Sequence, residues 1–141
     1  FLGSGLMAMA HLQKPDRPVR LGLATDVGGG TSFSMLATMA ETYKVQMLTG
    51  TKLSAAQLFQ MATRGNAELL HMGSETGSLE AGKFADLVVL DPVASDVLRD
   101  RHGLSQSIED VLFSVMMLGD DRAVRATYVA GTCVHRSSTP E

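Results

Sequence analysis

Asp26 is the residue of this 141-residue chain best placed to do chemistry. It follows the short apolar run 19–25 (VRLGLAT), and Val27, Gly28, Gly29, Gly30, Thr31 and Ser32 come after it. A carboxylate at the C-terminal end of a buried strand stands where parallel α/β proteins build their sites. Three readings compete. Asp26 is a metal ligand or general base; the glycine loop and a helix N-terminus behind it cradle a phosphate; or Asp26 caps a turn that the glycines make tight. The phosphate reading lacks both a Gly-Lys-Ser/Thr sequence and a G-x-G-x-x-G context. On spacing alone the turn is favoured, because Asp before Gly is common in turns.

The other candidate donors are dispersed. His11, His71, His102 and His135 lie far apart in the chain and form no His-x-His pair. Zinc needs about three or four converging ligands, so each of these reads as a surface or hydrogen-bonded histidine. The single cysteine, Cys133, excludes an intrachain disulfide and suits a reducing cytoplasm. Its strand-like surroundings predict a buried, inert thiol.

The elements that must position Asp26 follow from hydrophobic spacing. Residues 6–13 suggest a short helix, ended by Lys14-Pro15-Asp16-Arg17-Pro18. Residues 19–25 have the length and flanks of a buried strand. Thr31 or Ser32 can cap a helix whose stripe is Leu36, Met39, Ala40, Tyr43 and Met47, with Gly50 beyond its end. Ser54 and Gln57 form a capping box before Leu58, Met61 and Ala62. A third helical stretch covers 66–72 and should stop at Gly73. Residues 78–83 read as a turn, 85–90 (ADLVVL) as a strand, and 93–103 as polar and irregular with at most one helical turn. Residues 107–118 form a helix with Val111, Leu112, Val115 and Met116 on its apolar face. Residues 124–134 form a hairpin around Ala130-Gly131-Thr132, and the tail frays from Arg136.

A boundary is expected near residues 74–77. The part before it offers one clear strand, and one strand makes no sheet, so its pairing partners are expected from elsewhere. A start at Phe1 rather than Met also suggests a fragment or a processed chain. The composition is globular, with 45% hydrophobic residues and a net charge of −3. It carries no basic stripe for nucleic acid, no polybasic segment for a membrane surface, and no apolar run of membrane-spanning length.

The residues also carry a resemblance. Residues 23–36 (LATDVGGGTSFSML) closely resemble the last barrel strand and following helix of bacterial guanine deaminases, and residues 1–6 (FLGSGL) resemble the segment before it. Residues 77–83 (GSLEAGK) with 85–91 (ADLVVLD) resemble a tail found throughout the metal-dependent amidohydrolases, and the hairpin with Val129-Ala130-Gly131-Thr132 is similar to their final strands. The resemblance implies an α/β fold: the C-terminal fragment of a (β/α)₈ barrel over residues 1–75, and the C-terminal part of a small β-sandwich with one helix over 76–141. It implies a single Zn²⁺ bound by Asp26 together with histidines upstream of Phe1. Asp26 would also be the catalytic residue, orienting the zinc-activated water and moving its proton. Thr31, Ser32 and Phe33 are candidate substrate-binding residues beside it. The implied substrate is guanine, a small purine, converted to xanthine and ammonia by a cytoplasmic homo-oligomer, a dimer. Related aminohydrolases of other purines, pyrimidines or triazines, and a non-catalytic binding module using the loop 28–30, are the alternatives.

With one zinc-ligand candidate, the 141-residue chain alone is expected to bind zinc weakly and to release no ammonia from guanine. An ammonia assay on the pure chain with added Zn²⁺ checks this; release stoichiometric with zinc would contradict it.

Overall fold

Serine hydroxyls start four helices in the computed structural model, which describes residues 5–138. Helix α1 (Met35–Leu48) begins where Ser34 accepts from the Ala37 N–H. Helix α2 (Ala55–Gln60) begins at the Ser54–Gln57 capping box, both halves of which form. It runs on through a π-helical turn, Met61–Gly65, into the short α3 (Asn66–Leu69). Helices α4 (Asp96–Leu104) and α5 (Ile108–Leu118) are capped by Ser95 and Ser107. Each cap satisfies an N–H that the helix itself leaves unpaired. At α5 the arrangement is reciprocal. The Ser107 hydroxyl and the Gln106 N–H both donate to Asp110, which holds its carboxyl below the usual carboxylate range.

All three strand pairings among the described residues are antiparallel. β1 (Gln13–Lys14) and β2 (Arg17–Pro18) make a small hairpin. β3 (Leu87–Leu90), β4 (Val124–Val129) and β5 (Thr132–Arg136) make a three-stranded sheet in that order. Leu87 pairs with Tyr128 and Val89 with Ala126, and the register shifts before Leu90 meets Val124. The β4–β5 turn uses Ala130 and Gly131, at φ 48° and 80°. Two successive positive φ values match the right-handed twist of a two-residue hairpin.

Several expectations need correcting. Residues 19–25 are not a hydrogen-bonded strand. The segment is extended, and burial alternates, with Leu21, Leu23 and Thr25 half-buried and Gly22, Ala24 and Asp26 exposed. Its residue types suit a strand, but no neighbouring strand lies beside it among the described residues, and a strand exists by pairing. The stretch expected as helix near the start shortens to one 3₁₀ turn, Met9–His11, because the β1–β2 hairpin begins at Gln13. The helix after the glycines is capped by Ser34, not by Thr31 or Ser32. The third helical stretch ends at Leu69, before the left-handed His71 (φ 59°), rather than at Gly73. Residues 96–104 form a full helix instead of a single turn, since Ser95 caps it, Asp96 pairs with Arg99 and Leu98 is buried. Cys133 is exposed, because every residue of the edge strand β5 is. Arg136, where fraying was expected, still pairs in that strand with Ala126.

The core gathers Met9, Leu36, Met39, Ala40, Leu53, Leu58, Leu98, Val115 and Met116. It therefore draws on residues from both sides of 74–77. Helix α5 packs against both α1 and α2, and Tyr43 meets Phe113 edge to face at 5.2 Å. Leu36 and Met39 of the α1 stripe are buried, while Met47 is largely exposed.

A carboxylate ties α5 to α2 across this core. Glu109 accepts from the Ala55 N–H at 2.6 Å and from the Ala56 N–H at 3.2 Å. A negative charge bonded to free N–H groups at a helix start is favourable through both hydrogen bonding and the helix dipole. Glu109→Ala should lower folding stability by about 1–2 kcal/mol, with Glu109→Gln intermediate, measured as a shift of the denaturant midpoint at constant slope. An unchanged midpoint would show that this tie contributes nothing.

Candidate active site around Asp26

The backbone at Asp26 turns sharply. Asp26 has φ 51°, a left-handed conformation that non-glycine residues adopt uncommonly and that Asp tolerates better than most. Its carbonyl oxygen accepts from the Gly29 N–H at 2.9 Å and the Gly30 N–H at 2.5 Å. A Cβ on Gly30 would lie 1.9 Å from the Thr25 carbonyl oxygen, so the turn closes too tightly for any side chain there.

This geometry separates the three chemistries open to the motif. Two of the glycine N–H groups that a phosphate would need are already given to the Asp26 carbonyl. The Asp26 carboxylate, by contrast, makes no hydrogen bond or ion pair among the described residues, so it is not what caps the turn. The turn is closed by the backbone, and the exposed carboxylate is left unengaged. Left-handed strain at a residue with a free functional group is a pointer toward function.

Asp26 lines an open cavity of about 350 Å³. One wall is the extended segment 21–26 and the loop behind it, including Gly29, Gly30, Thr31 and Ser32. The opposite wall is the face of α1 that carries Thr38, Glu41, Thr42 and Gln46. The Thr38 and Thr42 hydroxyls donate back to helix carbonyls at 3.0 and 2.8 Å, and Glu41 pairs with Lys44 at 2.8 Å. Thr31 and Ser32 line the same cavity as Asp26. Ser32 also accepts from the Ser34 N–H at 3.0 Å and so shapes the entry into α1. Phe33 is turned away. It is 81% exposed and lines a different, larger groove of about 1040 Å³, together with Leu36, Met39, Leu87 and Tyr128.

Two side-chain amides hold the walls, and sequence reasoning missed both. Asn66 accepts from the Leu23 N–H at 3.0 Å and donates to the Leu23 carbonyl at 2.7 Å. Gln46, only 2% exposed, accepts from the Met9 N–H at 3.0 Å and donates to the Met7 carbonyl at 2.7 Å. In both cases an amide does what a neighbouring strand would do. For Gln46 the available signal was a polar residue three positions after Tyr43 on an otherwise apolar stripe; Asn66, the first residue of the expected stretch 66–72, reads from sequence as an ordinary helix start and gave no signal.

For a metal ion the donors present are few. No group of three or more His, Cys, Asp or Glu is gathered among the described residues, and the four histidines are all exposed. Asp26 offers one unengaged oxygen donor on a cavity wall. That fits one ligand of a zinc ion and not a complete site.

Comparison with known proteins identifies the family. The model of the amidohydrolase family matches residues 2–134. The chain is 43% identical over 136 residues to the guanine deaminase of Escherichia coli K12, covering 96% of this chain and 30% of that protein. It is 33% identical over 139 residues to the guanine deaminase of Mus musculus, covering 92% and 30%. The crystal structure of guanine deaminase from Bradyrhizobium japonicum superposes with a TM-score of 0.90 at 34% identity, over 98% of this chain and 36% of that one. The chain thus spans 30% of the length of the curated relatives it matches. With the family model covering nearly all of its length, this chain belongs to the amidohydrolase family.

Proposed function

We propose that this chain is the C-terminal part of a zinc-dependent guanine deaminase, converting guanine and water to xanthine and ammonia, and that it is catalytically incomplete by itself. The observation that carries the reading is the unengaged Asp26 carboxylate, held left-handed at the rim of a cavity, within a chain similar to guanine deaminases over almost all its length. Residues 1–75 are read as the last strand and helices of the (β/α)₈ barrel, and 76–141 as the C-terminal part of the small β-sandwich with one helix. The extended segment supports this. Between Arg20 and Thr25, Leu23 is the one residue among those described with both backbone groups hydrogen-bonded. The rest are open to neighbouring strands, and backbone groups that are to be buried require such partners.

In this reading Asp26 supplies one ligand to the zinc, and the remaining ligands come from histidines outside this chain. Zinc, when bound, makes water acidic enough to attack at neutral pH. Asp26 orients the attacking water and accepts the proton it loses. Asp26 passes that proton to the adjacent ring nitrogen as the hydroxyl adds to the ring carbon; when the bond from that carbon to the amino nitrogen then breaks, the hydroxyl's own proton passes by way of Asp26 to the leaving nitrogen, so that ammonia departs and the carbonyl of xanthine remains. Thr31 and Ser32 stand where a purine edge would meet the loop. Phe33, on the other groove, would reach such a ligand only after a change in the loop. No helix among the described residues is long and apolar enough to cross a membrane, and a cytoplasmic homodimer is the expected setting.

In the full-length protein, Asp26→Asn keeps the shape and removes the base. Turnover of guanine should fall by about 10²–10⁴-fold with the thermal midpoint little changed. Steady-state ammonia release and a thermal melt together check this, and a rate within about tenfold of the parent would remove Asp26 from the mechanism.

A further inference from the structure

Three features converge on one backbone contact, three residues before Asp26. The first is Asn66 itself, which brackets Leu23 with one accepted and one donated hydrogen bond and also approaches the Ala62 carbonyl at 3.3 Å. Leu23 presents an N–H and a C=O of fixed polarity, so only one orientation of the amide satisfies both. The second is the π-helical turn Met61–Gly65 immediately before Asn66. A π turn holds an extra residue, which rotates the next helical turn relative to a continuous α-helix, and such turns concentrate at functional sites. The third is Gly22. A Cβ there would lie 2.0 Å from Asn66 Oδ1 and 2.7 Å from Leu69 Cδ1, so any side chain would push the amide off Leu23.

We propose that Asn66 is a positioning residue for Asp26: it fixes how far the extended segment 21–26 is slid along the helices, and so where the carboxylate stands at the cavity rim. This rests on the reading of Asp26 as base and zinc ligand. The apolar contacts of Leu21 and Leu23 with the core attach the segment but do not set its register, because hydrophobic contact is non-directional. Two hydrogen bonds of opposite polarity to one residue do set it. From Leu23 to Asp26 the chain spans about 10 Å of extended backbone, so slippage at Leu23 is carried to the carboxylate. A misplacement of about 1 Å costs on the order of 10²-fold in rate.

The test uses the full-length protein with Asn66→Ala, Asn66→Asp and Asp26→Asn, assayed well below each melting midpoint. Zinc affinity of the metal-free protein is measured by chelator competition, and kcat and KM for guanine are normalised to bound zinc. Asn66→Ala should weaken zinc binding by about 10-fold or more and lower kcat by about 10²-fold, with KM nearly unchanged. Asn66→Asp should be as impaired at neutral pH, where a carboxylate repels the Leu23 carbonyl. Its rate relative to the parent at the same pH should rise several-fold toward pH 5, since a protonated carboxyl both accepts and donates as the amide does. Zinc affinity and kcat per bound zinc that stay within about threefold in Asn66→Ala would overturn the proposal and leave Asn66 a purely structural group. If Asn66→Ala does not fold, Asn66→Asp decides: a pH-independent ratio to the parent overturns the proposal. Loss of activity in Asp26→Asn with none in the Asn66 variants defeats the positioning role alone. Full activity in Asp26→Asn defeats the reading beneath it as well.

Discussion

An extended backbone segment without a strand beside it must find hydrogen-bond partners of another kind, and in this chain a side-chain amide supplies them. Asn66 meets both backbone groups of Leu23, and Gln46 meets Met7 and Met9 in the same fashion. These four bonds hold residues 7–9 against α1 and the segment around Leu23 against the α2–α3 helix. The left-handed turn at Asp26, the cavity beside it and the direction of the loop into α1 all depend on where that extended segment lies. A single amide is a sharper constraint than an apolar contact because it fixes position along the strand axis as well as distance from the core.

The helical scaffold is comparatively independent of this constraint. Serine caps, the Ser54–Gln57 box and the Glu109 carboxylate satisfy the helix starts locally, and the core formed by α1, α2 and α5 gathers around Leu58 and Met116, with Leu21 and Leu23 of the segment that carries Asp26 packed against it from outside. A rigid scaffold and a lightly bonded functional segment are a common division in enzymes, since the site needs a defined base and an edge free to accept further elements. The larger groove lined by Phe33, Leu36, Leu87 and Tyr128 shares no lining residue with the Asp26 cavity.

How much was legible in the sequence depends on the range of each interaction. The capping box, Gly50 beyond α1 at φ 82°, the hairpin turn at Ala130-Gly131 and the α5 boundaries are written in neighbouring residues, and they stand where spacing puts them. Residues 19–25 carry the composition of a strand, yet pairing is decided by the chain that lies alongside, and composition is silent on that. The α4 helix was hidden because its low apolar content masks a single well-capped buried anchor, Leu98. The tight turn at Asp26 was legible from its place before the glycines. The unengaged state of its carboxylate was not, since it depends on a backbone carbonyl closing the turn instead. Asn66 and Gln46 act across 43 and 37 residues of sequence, a separation that no local pattern records.

The central claim is that Asp26 faces the metal. It is tested most directly by anomalous diffraction at the zinc edge from crystals of the full-length protein. The account predicts a zinc peak about 2.0–2.2 Å from an Asp26 carboxylate oxygen, with Asn66 still bracketing Leu23. A zinc ion fully coordinated elsewhere, with the Asp26 carboxylate outside coordination distance, would contradict it.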